Sequence, residues 1–207
     1  MNIEKLIKEH HQDMIEKGFY DCPNCIGVKT EDRMVKSMLM NNCSLCHDTR
    51  INPEKNMGEL LMLIVSEMGE ALEAHRNNGF SDWKAFDEFV KGDEIIGFED
   101  CIKDTFEDEI ADVFLRLFDL CGYLGIDINP EEKVGNPSKA YDNVGESLYC
   151  AQLKLPSLNS YKKEGAYDYF FTFMIGICNK NNIDIEKQIT AKREYNKTRP
   201  HKHGKEY

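Results

Sequence analysis

Two long segments of this 207-residue chain carry apolar side chains at helical spacing. Met57, Leu60, Leu61, Ile64, Met68, Ala71, Leu72 and His75 form one stripe and predict a helix over 57–76. Phe106, Ile110, Val113, Phe114, Leu117, Cys121 and Leu124 form the second. Stripes this long must bury against other helices, so the chain is expected to be all-α, with a four-helix-bundle-like core. A shorter stripe over residues 1–18 (Ile3, Leu6, Ile7, Met14, Ile15) predicts an N-terminal helix that stops at Gly18. The last helix is expected from about Ile185 to Tyr195.

Each long stripe is flanked by an acidic pair: Glu67 with Glu70 in SEMGEALE, and Glu109 with Asp112 in EDEIADV. At about 100° per residue, a three-residue step returns a side chain to the same helix face. Both pairs lie on the same side of their stripe, so packing the stripes together brings the four carboxylates to one edge. Each close pair of carboxylates repels by about 4 kcal/mol at an effective dielectric of about 20, and a hard cation relieves that repulsion. Oxygen-only ligands select Mg²⁺ or Mn²⁺ over zinc. Solvated helix faces are the alternative reading. Asp104, Glu107 and Asp108 precede the second pair, where the helix dipole favours acids.

Between the N-terminal stripe and the one over 57–76 the chain changes in kind. Cys22-Pro-Asn-Cys25 and Cys43-Ser-Leu-Cys46 are two CxxC pairs with 17 residues between them, a zinc-ribbon type of spacing. They predict a closed structural Zn²⁺ site on residues 21–50, with His47 as a possible substitute ligand and redox-active pairs as the rival reading. Cys101, Cys121, Cys150 and Cys178 read as small core residues. Residues 77–103 hold three glycines and scattered aromatics, so a loop with one short helix, Trp83 to Val90, is expected there. Trp83 is a candidate for stacking on a base, although a core cluster with Phe80, Phe86 and Phe89 explains the same residues.

Composition narrows the functional classes. A formal charge of −11 argues against an extended nucleic-acid footprint. The longest nearly uncharged apolar run, Tyr169 to Cys178, is ten residues, against about 20 for a membrane helix. With no apolar h-region at the start, a cytosolic protein is expected. Phosphate recognition needs local cations, which Lys192, Asn196 and Arg199 supply with a neutral donor between them at i, i+4 and i+7 ahead of Pro200. A basic helix end facing water is the alternative. A weak echo aligns Phe114, Leu117, Cys121 and Ile126-Asp127-Ile128 with Phe171, Met174, Cys178 and Ile183-Asp184-Ile185, a shift of 57 residues. Asn56-Met57-Gly58-Glu59 is echoed by Asn143-Val144-Gly145-Glu146.

ELLMLIVSEMGEALEA, EDEIADVFLRLFDLCGYLGIDI and IDIEKQITAKREYNKTRPHKHGKEY together resemble the all-α nucleoside triphosphate pyrophosphohydrolases, the superfamily of MazG and the dimeric dUTPases, over residues 56–128 and 183–207. The resemblance implies a MazG-like helical domain over 51–207, after an N-terminal helix (1–20) and the cysteine segment (21–50). It implies Mg²⁺ on Glu67, Glu70, Glu109 and Asp112, nucleotide contacts from Lys192, Asn196 and Arg199, and cleavage of a nucleoside triphosphate to monophosphate and pyrophosphate. A homodimer or higher homo-oligomer is expected with it. Residues 129–182 are an insertion relative to compact members, and in the echo Lys154, Ser157, Ala166 and Tyr169 replace the four acids. A non-enzymatic zinc-containing interaction module and a hydrolase of another phosphoanhydride remain open at this stage.

Overall fold

A computed structural model describes residues 1–25, 43–46, 51–89, 94–129, 142–159 and 164–204. Among these residues the chain is helical, and the only extended pairing is an isolated antiparallel bridge between Asp21 and Ile51. In chain order the helices are α1 (Ile3–Glu16), α2 (Met57–Arg76), α3 (Trp83–Phe89), α4 (Glu94–Cys101), α5 (Phe106–Leu124), α6 (Val144–Gln152), α7 (Leu155–Leu158), α8 (Glu164–Lys180) and α9 (Ile185–Thr198). No helix among the described residues is long and apolar enough to cross a membrane.

Short polar residues set where the helices begin. The side chains of Asn2, Asn56, Thr105, Asn143 and Asp184 each accept a bond from the backbone N–H three residues on, satisfying a donor that the first turn leaves free. α5 ends at Gly125, whose φ of 65° is the left-handed conformation that a side chain disfavours.

α5 is the hub of the fold. α1, α2 and α9 all pack on it, and from α8 the Phe171 ring meets Phe114 edge-on at 5.5 Å. Ile110, Phe114, Leu117, Phe118 and Cys121 are fully buried on it. The crossing with α1 is so close that a Cβ at Gly122 would lie 2.4 Å from the Cβ of His11. Polar ties fix α1 in place: Arg193 of α9 donates to Asp13 at 2.7 and 3.1 Å and to Glu9 at 3.0 Å. Asp119 of α5 accepts the Tyr20 hydroxyl at 2.9 Å and lies 2.8 Å from His11 Nδ1.

Three expectations change. Residues 77–103 hold two short helices, not one. α4 escapes the periodicity because Ile95 and Ile96 face outward, leaving Phe98 as its buried anchor. α9 runs one turn past Tyr195, to Thr198. Cys121 and Cys178 are core residues as expected, but Cys101 and Cys150 are only partly buried. His47 and the end of the expected 83–90 helix, Val90, lie outside the described residues, as do 26–42 of the cysteine segment.

The echoed segments share local structure. Phe171, Met174 and Cys178 are buried as Phe114, Leu117 and Cys121 are. After α5 the N–H of Ile126 donates to Cys121 O at 2.9 Å, and after α8 that of Ile183 donates to Cys178 O at 2.9 Å.

Candidate active site

The packing of α2 on α5 brings Glu67, Glu109 and Asp112 together. Each offers a carboxylate oxygen, and these oxygens lie within 4.8 Å of one another. Glu67 and Glu109 are 7% and 4% exposed, whereas Asp112 keeps a partly open side chain. Burial, with Asp112 beside it, pushes the Glu109 carboxyl up to about 8. Glu67 is pushed up by the same two causes, but the Arg116 guanidinium opposes them, donating from Nε to Glu67 Oε1 at 2.9 Å. Glu70 stands outside the group. It is exposed, accepts the Ser66 hydroxyl at 3.1 Å, and adds repulsion to Glu67 and Glu109.

The fourth member of the site is a cation. Lys192 of α9, 5% exposed, places Nζ 2.6 Å from Asp108 Oδ2 and 2.8 Å from Asp112 Oδ2. Those carboxylates hold Lys192 charged against the cost of its burial. In this structure Lys192 therefore rests on acids, where the sequence predicted a contact to phosphate.

Asn196 and Arg199 do not join Lys192 at the acids. Asn196 is buried beside His10, Met14 and Arg193, and its Oδ1 accepts from Arg199 Nη1 at 3.4 Å. Arg199 follows the last helical residue with extended backbone. Trp83 is half-buried on the wall of a cleft of about 1090 Å³ between α3, α4 and α9. Lys187 Nζ lies 4.0 Å from the centre of the Trp83 ring. The cleft contains none of the carboxylates above, but Phe98 on its wall has its ring centre 5.8 Å from Lys192 Nζ.

Sequence reasoning missed two residues of the site. Arg116 is the lone charge in the run VFLRLF, one turn beyond Asp112, and that isolation was its signal. Asp108 was read as a dipole acid, yet it is fully buried. Its Oδ2 also accepts the N–H of Asp104 at 3.1 Å, and its Oδ1 has no partner. Burial outweighs the opposing pull of Lys192 and pushes its carboxyl up to about 7. Asp104, Asp108 and Glu109 form a second close group, with Lys103 on the exposed Asp104 and Lys192 on Asp108.

The raised Glu109 carboxyl predicts a pH dependence of folding. With its ordinary value at 4.5 and its folded value at about 8, the folded chain binds a proton that the unfolded chain releases between those limits. Stability is therefore lost as pH rises through that window, with a slope approaching about 1.4 kcal/mol per pH unit. Thermal melts of zinc-loaded, Mg²⁺-free wild type and Glu109→Gln, compared from pH 5 to 8, should show the wild type falling relative to the variant. Parallel curves contradict the shift.

Apart from the carboxylates, the structure brings four sulfurs together. Cys22 Sγ lies 3.7 Å from Cys43 Sγ and Cys25 Sγ 3.6 Å from Cys46 Sγ, and ligand atoms of all four lie within 4.8 Å of one another. A tetrahedral zinc with bonds of about 2.3 Å separates its sulfurs by about 3.8 Å, so the arrangement fits the ion. The N–H groups of Cys46 and Leu45 pull the Cys43 thiol down to about 6, while burial and the neighbouring thiols push Cys25 up to about 12 and burial raises Cys22. The bridge between Asp21 and Ile51 ties the segment's two ends. Purified protein should carry about one zinc per chain by metal analysis. Cys22→Ser should lose most of it, and a zinc-free wild type contradicts the assignment.

No protein-family model, curated protein or solved structure matches the chain.

Proposed function

We propose that the protein is a Mg²⁺- or Mn²⁺-dependent nucleoside triphosphate pyrophosphohydrolase built on a MazG-like four-helix core. The observation that carries this reading is the convergence of Glu67, Glu109 and Asp112 from two helices, beside the Lys192 ammonium. Buried carboxylates this close, one of them with its carboxyl pushed up to about 8, are relieved by a divalent cation. An all-oxygen donor set fits Mg²⁺ and leaves positions for water and phosphate. Glu70, at the open edge, joins the set through a side-chain rotation away from Ser66.

Held by Glu67, Glu109 and Asp112, the cation would supply neutralising charge for the α-phosphoryl and the departing pyrophosphate, and acidity for the attacking water. The chain's own residues do the rest. Arg116 fixes the rotamer of Glu67. Lys192 supplies a fixed positive charge where charge develops during attack at the α-phosphorus. Arg199, as a planar fork just beyond α9, and Asn196 in its last turn bind phosphate oxygens once they release each other. Trp83 stacks on the base at the cleft.

The positions that echo the acids support a single catalytic half. Lys154 and Tyr169 stand where the echo places Glu67 and Asp112, and Lys154 Nζ lies 4.7 Å from the centre of the Tyr169 ring. A lysine ammonium on an aromatic face stands at these positions in place of a carboxylate pair. Tyr149 and Leu153, one turn apart and each 59% exposed, support the subunit contact of a homodimer.

The test is a panel of common NTPs and dNTPs incubated with the full chain and Mg²⁺, products resolved by ion exchange. Monophosphate plus pyrophosphate is expected from at least one. Orthophosphate plus diphosphate, or no turnover across the panel, contradicts the reading.

A further inference from the structure

We infer that Asp108 takes over Lys192 when a divalent cation claims Asp112, so that the ammonium is passed one turn along α5 and stays at the site. The inference rests on Glu67, Glu109 and Asp112 being cation ligands. It concerns a residue that lies outside both acidic pairs.

Lys192 Nζ bridges two carboxylates a turn apart, 2.6 Å from Asp108 Oδ2 and 2.8 Å from Asp112 Oδ2. Of the two, only Asp112 belongs to the group formed with Glu67 and Glu109. An ammonium 2.8 Å from Asp112 Oδ2 competes with a divalent cation for the charge of that carboxylate, and the two positive charges repel strongly at such range. Cation binding therefore favours release of Lys192 from Asp112. At 5% exposure it has little access to water, and the Phe98 ring stands on another side of it.

Asp108 is equipped to receive the freed ammonium. It is fully buried, its Oδ2 is already held by the N–H of Asp104 and by Lys192, and its Oδ1 has no partner. An ammonium carries three donors, so a hydrogen released by Asp112 finds an acceptor on Oδ1 after a small shift of Nζ. A buried carboxylate with one unused oxygen is otherwise a cost to folding. Without Asp108, Lys192 has Asp112 as its remaining anchor and competes with the cation for it. Asp108 is thus a positioning residue that acts through Lys192.

The test is Mn²⁺ binding, followed by EPR of free Mn²⁺, to the full zinc-loaded chain and to Asp108→Asn, Lys192→Met and the double variant, each checked for native helical CD. Asp108→Asn should weaken Mn²⁺ binding about tenfold, and Lys192→Met should tighten it, because the competing ammonium is gone. Once Lys192 is Met, adding Asp108→Asn should change nothing further. Equal losses from Asp108→Asn in both backgrounds, or weaker binding by Lys192→Met, overturn the handover. If Asp108→Asn does not fold, Lys192→Met decides by the direction of its effect. The expected pattern without turnover of any triphosphate overturns the pyrophosphohydrolase reading and leaves the handover. Turnover with additive losses overturns the handover alone, and a wild type that binds no Mn²⁺ overturns both.

Discussion

Asp112→Asn should lower turnover of the preferred nucleotide roughly 1000-fold, about 4 kcal/mol of transition-state stabilisation, while the helical CD spectrum stays intact. Asp112 is the ligand candidate with the most open side chain of the three, and it is also one of the two anchors of Lys192. Its loss removes an anionic ligand and one of the two carboxylates that hold Lys192. Glu109→Gln should cost turnover on the same scale, yet raise the stability of the zinc-loaded, Mg²⁺-free protein above pH 7. The carboxyl it replaces is buried beside other acids and pushed up to about 8. Gain of stability with loss of activity marks a group kept for chemistry at the expense of folding. Near-normal turnover in both variants would remove the carboxylate group from the mechanism.

Phe114→Ala should destabilise the fold by about 3–5 kcal/mol, a large part of the 5–15 kcal/mol typical of a folded domain. Phe114 has no exposed surface, and its ring packs on Phe118 and Phe171, so the cavity opens where α5 meets α8. For a chain of this size the melting temperature should fall by about 10 °C. Phe171→Ala should give a similar loss, and the double variant less than the sum, because both truncations open one shared space. Met62→Ala, at a side chain 60% exposed, is the control and should stay within about 0.5 kcal/mol. A Phe114→Ala variant that melts with the wild type would contradict the placement of α8 on α5.

These expectations draw on features with different degrees of visibility in the sequence. The two long helices were legible because periodic apolar residues run the length of 57–76 and 106–124, each behind an Asn or Thr cap, and a glycine closes the second. Of the four acids that the three-residue steps set on one edge, Glu67, Glu109 and Asp112 come together across the facing helices, while Glu70 stays outside on Ser66. The cysteine spacing likewise brought Cys22, Cys25, Cys43 and Cys46 together.

Partners across helices were harder to read. No spacing rule pairs Arg116 with Glu67, or Lys192 with Asp108 and Asp112, since each pairing depends on how two helices cross and rotate. Asp108 shows the limit most clearly. In the first turn of a helix an acid explains itself through the dipole, and nothing in the sequence marks this one as fully buried. α4 stayed hidden for a related reason, because its two isoleucines face outward, Ile95 on the wall of the cleft.

We propose that Glu67, Glu109 and Asp112 direct water onto the α-phosphorus of a nucleoside triphosphate. A single turnover in ¹⁸O-labelled water, with products weighed by mass spectrometry, tests it most directly. The label should appear in the nucleoside monophosphate, leaving the pyrophosphate unlabelled. Label in the pyrophosphate or in orthophosphate would place the attack at another phosphorus and contradict the account.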